Sequence, residues 1–69
     1  MRTYGKLREK IRAVFGTTGA FATALGKDRS TVSKKLNGAA AWDQPEMEKT
    51  CELLGIPKDN IPEYFFYDI

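Results

Sequence analysis

Apolar residues recur at helical spacing along most of the chain. Tyr4, Leu7, Ile11 and Val14 lie three or four residues apart, with Lys6, Arg8, Lys10 and Arg12 on the other face, so the pattern predicts an amphipathic helix over residues 2–15. Thr3 suits its N-cap and Gly16 its end, while Gly5 lowers the local helix propensity. Thr17 or Thr18 then caps a short second helix through Phe21, Ala22 and Leu25, which Gly26 stops. Asp28 offers a further N-cap for a helix from Arg29 to Leu36, with Val32 and Leu36 inward and Asn37–Gly38 at its end.

Ala39 to Trp42 reads as a loop that buries the indole. Asp43, Gln44, Pro45 and Glu46 follow with a capping-box pattern, opening a helix whose inner stripe is Met47, Cys51 and Leu54, with Thr50 beside it and Gly55 at its close. Asp59 can cap a last segment from Pro62, too short for its pattern to separate helix from extended chain. The expected architecture is all-α, a compact bundle of four to five short helices. The 69 residues form one domain with an aromatic segment at about 59–69.

Charge is divided unevenly along this bundle. Residues 1–38 hold nine Lys or Arg against two Asp or Glu, and residues 39–69 hold two against seven. The basic half suits phosphate, and the acidic half would face away from a duplex. No apolar run is long enough to span a bilayer, and the expected location is the cytoplasm. Without histidine, a Cys/His zinc site and histidine-based catalysis are excluded, and no cofactor is expected. Cys51, on an apolar stripe without a cationic cluster, reads as a buried inert thiol. Glu46, Glu48 and Glu52 read as capping and a solvated helix face, so no enzymatic role is expected.

Two short helices joined across a glycine, the second basic and small-polar, meet the needs of a helix-turn-helix. Counting from Thr18, Ala22 falls at the fifth place, where a small side chain lets the helices approach, Gly26 at the ninth, in the turn, and Val32 at the fifteenth, a core anchor. Over residues 4–56 the chain resembles the Cro and repressor helix-turn-helix proteins of temperate phages, with the lambda-repressor-like fold. Lys27 and Lys35 occupy places usually apolar there, and Gly19 one often filled by a longer polar residue. Leu36 can supply the core contact that Lys35 does not, and the stem of Lys27 can lie on the core while its ammonium reaches solvent or phosphate.

The resemblance implies a sequence-specific regulator of a phage switch in the bacterial host, with double-stranded operator DNA as partner and paired half-sites favouring a homodimer. Arg29, at the start of the recognition helix, can bond guanine O6 and N7. Ser30 and Ser33 can meet base edges, Thr31 and Thr18 a thymine methyl or phosphate, Lys34 a base or the backbone, and Lys27 and Asn37 phosphate. The terminal Tyr64, Phe65, Phe66, Tyr67 and Ile69 either fold back over the core or form a partner surface. The two off-pattern lysines, the short Thr18 and Gly19 and this apolar terminus motivate an alternative, a modulator that binds a phage repressor through its helix-turn-helix face or its aromatic tail and alters its DNA binding.

Overall fold

The computed structural model describes residues 4–66. Arg2 and Thr3, the expected start and cap of the first helix, lie outside the described residues, as do Tyr67 and Ile69 of the terminal segment. Four α-helices follow in order: α1 (Gly5–Phe15), α2 (Thr18–Leu25), α3 (Arg29–Leu36) and α4 (Gln44–Leu54). A 3-10 turn (Lys58–Asn60) and a π-helical segment (Pro62–Phe66) complete an all-helical bundle without strands among the described residues.

α1 starts later than its periodicity suggests, because Tyr4 turns into the left-handed region at φ 54°, ψ 36°. That conformation costs a non-glycine residue about 1–2 kcal/mol. Burial of the Tyr4 ring, edge-on to Trp42 with centroids 6.3 Å apart, opposes the cost. Gly5 then occupies the first helical position rather than the interior. Leu7 and Ile11 are buried as expected, but Val14 is 48% exposed. After Ile11 the stripe continues at the fourth residue rather than the third: Phe15 packs on Phe21 at 5.6 Å between ring centroids, the larger ring taking the inward place.

Thr17 rather than Thr18 caps α2, its Oγ1 accepting from the Ala20 N–H at 3.1 Å. At the other end Gly26 takes φ 81°, where a side chain would be strained. This lets the N–H groups of Gly26 and Lys27 return to the Thr23 and Ala22 carbonyls. Two residues later α3 begins. Asp28 stands at its N-cap with extended backbone, yet its carboxylate makes no capping bond. α4 shows the full capping box: Asp43 accepts from the Glu46 N–H at 2.8 Å, and Glu46 Oε1 accepts from the Asp43 N–H at 3.0 Å.

The core gathers around α2, which packs on α1, α3 and α4. Phe21, Leu7, Val32, Thr50 and Cys51 are fully buried there. The final segment, undecided from its pattern, is helical. Ile61 and Phe65, four residues apart, turn inward together, and Phe65 meets Trp42 edge-on at 5.1 Å.

Candidate functional site

α2 and α3 are two short helices packed together across the Gly26 turn, and the outer face of the pair is the first candidate surface. Arg29, Ser30 and Lys34 are exposed on α3, and Thr31 and Ser33 are half-buried. Thr18 is the half-buried first residue of α2. The Arg29 stem runs across the start of α2: a Cβ built on Gly19 would lie 3.5 Å from Arg29 Cδ, an ordinary contact that a side chain there would tolerate.

Two expected phosphate ligands stay exposed but already hold partners within the bundle. Lys27 points back at α4, its Nζ 3.6 Å from Glu46 Oε2. Asn37 uses its Oδ1 to accept from Arg8 at 2.8 Å, and the same guanidinium nitrogen donates to the Leu36 carbonyl at 2.8 Å. Arg8 thus ties α1 to the end of α3, a bond that helical spacing within α1 gives no sign of.

Lys35 explains its own departure from the pattern. It is buried, with Nζ 2.8 Å from both Glu46 Oε1 and the Ala41 carbonyl, and 5.8 Å from the centroid of the Trp42 ring. Glu46 closes the capping box as expected, and beyond that it is only 7% exposed and joins α4 to both odd lysines. Burial pushes its carboxyl upward, but the Lys35 hydrogen bond, the Asp43 N–H and the charges of Lys35 and Lys27 prevail and hold it below the usual glutamate range. The signal for this node was present in the sequence as two lysines at apolar places, since a buried ammonium requires a partner.

The second candidate surface lies at the aromatic end. Tyr64 is half-buried, Phe65 is 1% exposed and belongs to the core, and Phe66 is 48% exposed. Phe66 borders a groove of about 310 Å³ lined also by Tyr4, Ala39, Ala40, Trp42 and Met47. A third region, a cleft of about 220 Å³, sits between α1 and the start of α2, with Arg8, Arg12, Thr17 and Thr18 above Ile11 and Leu36. Among the described residues no group of acidic, Cys or His side chains could hold a metal ion. No described helix is long and apolar enough to cross a membrane.

This all-helical bundle, with one polar face and one aromatic groove, has the fold of a small helical phage regulator. Residues 2–68 match the family described as protein of unknown function DUF739, and the chain belongs to it. It is similar to the modulator of repression (MOR) of the temperate bacteriophage TP901-1 from Lactococcus lactis. The identity is 38% over 94% of this chain and 88% of that one, with a TM-score of 0.84. No curated protein matches this chain.

Proposed function

We propose that this protein is a modulator of repression in a temperate-phage switch, binding a repressor protein and altering how that repressor engages its operator. The carrying observation is the likeness to the TP901-1 modulator, which spans nearly the whole fold. The docking surface is the aromatic groove, where half-exposed Phe66 stands beside Trp42, Met47 and small alanines. Aromatic anchors in an apolar groove are the usual centre of a protein interface. The role requires no reaction, and its setting is the cytoplasm of the bacterial host.

Direct operator reading through α3 is the second reading, favoured by exposed Arg29, Ser30 and Lys34. Against it stand the existing contacts of Lys27 with Glu46 and of Asn37 with Arg8, and the exposed carboxylate of Asp28 at the leading end of α3. A negative group there opposes entry into a groove walled by phosphates.

A mobility-shift titration with the repressor from the same switch separates the two. The expected result is no specific shift with this protein alone and a changed repressor–operator affinity in its presence. A specific shift by this protein alone, weakened by Arg29→Ala, would establish the second reading instead, including any paired binding of two copies.

A further inference from the structure

The end of α3 carries a chemically reactive pair that neither candidate surface uses. Asn37 is followed by Gly38, and both are exposed. Glycine has no side chain to hinder its own backbone nitrogen from approaching the preceding carboxamide. We propose that Asn37 is a site of spontaneous deamidation, latched by Arg8, with water as its co-reactant. The Gly38 nitrogen gives its proton to a solvent base and bonds to Asn37 Cγ. The Cγ–Nδ2 bond breaks, and the departing nitrogen takes up a proton and leaves as ammonia, closing a succinimide. Water then opens the ring at one of its two carbonyls, giving aspartate or isoaspartate with no change of oxidation state.

The folded geometry sets the rate. Asn37 holds φ −91°, ψ 0°, and the attacking Gly38 nitrogen donates to the Lys35 carbonyl at 3.2 Å. Ala39 N–H continues the closure onto the Lys34 carbonyl at 2.8 Å. Attack therefore requires the last turn of α3 to open and the Asn37 backbone to rotate, a local event rather than global unfolding. Arg8 resists that opening at two points, since it holds the Leu36 carbonyl and the reacting carboxamide together.

The products differ in consequence. Aspartate presents Arg8 with a charged acceptor, a stronger bond, but adds negative charge at the carbonyl end of α3 and beside Lys34. Isoaspartate lengthens the main chain by a methylene and disrupts the closing bonds of Gly38 and Ala39.

The test incubates the intact protein at neutral and mildly alkaline pH and follows each asparagine by peptide mass spectrometry that resolves the two acids. Asn60, followed by the branched Ile61, is the internal reference. Expected is acid accumulating at Asn37 ahead of Asn60, severalfold faster in Arg8→Ala than in the parent, with the two chains equal in denaturant. Arg8→Lys, which keeps the charge but replaces the planar guanidinium with a single ammonium, falls between them and guards against misfolding of the alanine variant. Equal conversion at Asn37 and Asn60 in the folded parent would overturn the site. Equal Asn37 rates in parent and Arg8 variants, or acceleration at Asn60 as well, would overturn the latch.

Discussion

Glu46 closes the capping box of α4, neutralises a lysine inside the bundle and draws in a second at the turn between α2 and α3. Removing one partner of a buried pair leaves the other charge stranded, which costs about 3–5 kcal/mol, whereas replacing both by apolar or neutral groups of similar volume is close to neutral. Glu46→Ala should therefore lower the urea midpoint strongly, and Lys35→Met with Glu46→Gln should recover most of the loss. The Lys27 contact, half in solvent, adds little. Because the folded-state pKa of Glu46 is depressed, its stabilisation is present above the ordinary glutamate range and is lost as pH falls through the depressed value. Urea midpoints measured down an acid series should converge for parent and Glu46→Gln at the lowest pH and separate as pH rises.

The caps allow a controlled comparison between elements. Thr17 and Asp43 accept backbone N–H groups at the starts of α2 and α4, and Asp28 holds the same position before α3 without doing so. Thr17→Ala and Asp43→Ala should each cost about 1 kcal/mol, and Asp28→Ala less than about 0.5 kcal/mol, in equilibrium denaturation. The elements were legible because each is punctuated locally: Thr17, Asp28 and Asp43 mark starts, Gly16, Gly26 and Gly55 ends, and the apolar stripe identifies the inward face. What escaped depends on neighbours distant in the chain. The choice of Phe15 over Val14 is made by Phe21, the left-handed Tyr4 is held by Trp42, and Lys35 is accommodated by Glu46. The Arg8 bond to the end of α3 spans 28 residues to Leu36, beyond the reach of any local rule.

For the molecule as a whole, the two consecutive phenylalanines of the terminal segment differ in burial, and under the proposed function they would divide stability from recognition. Phe65 closes the core over Trp42, and Phe66 faces the groove. Phe65→Ala should destabilise by about 3–5 kcal/mol, as for other buried aromatics. Phe66→Ala should lower the thermal midpoint less than Phe65→Ala does and weaken repressor binding by about tenfold or more, the loss of an anchor worth roughly 1.4 kcal/mol or above. Calorimetric titration against the repressor, paired with thermal denaturation of each variant, checks both statements. Equal effects of the two substitutions on both measurements would remove the groove as the docking surface.

The single cysteine gives this molecule a reporter of its own motions. Cys51 lies 1% exposed on the inner side of α4, and burial raises its thiol pKa, with the Glu48 charge adding to the rise and that of Lys58 opposing it. A neutral alkylating reagent can reach the sulfur only when α4 lifts away or the bundle opens. Under conditions where reclosing outpaces reaction, the labelling rate measures the population of such open states. No dye or tag is needed. Binding of a partner to the closed form should slow labelling in proportion to its occupancy, turning one buried sulfur into an assay for association, the proposed one with a repressor included.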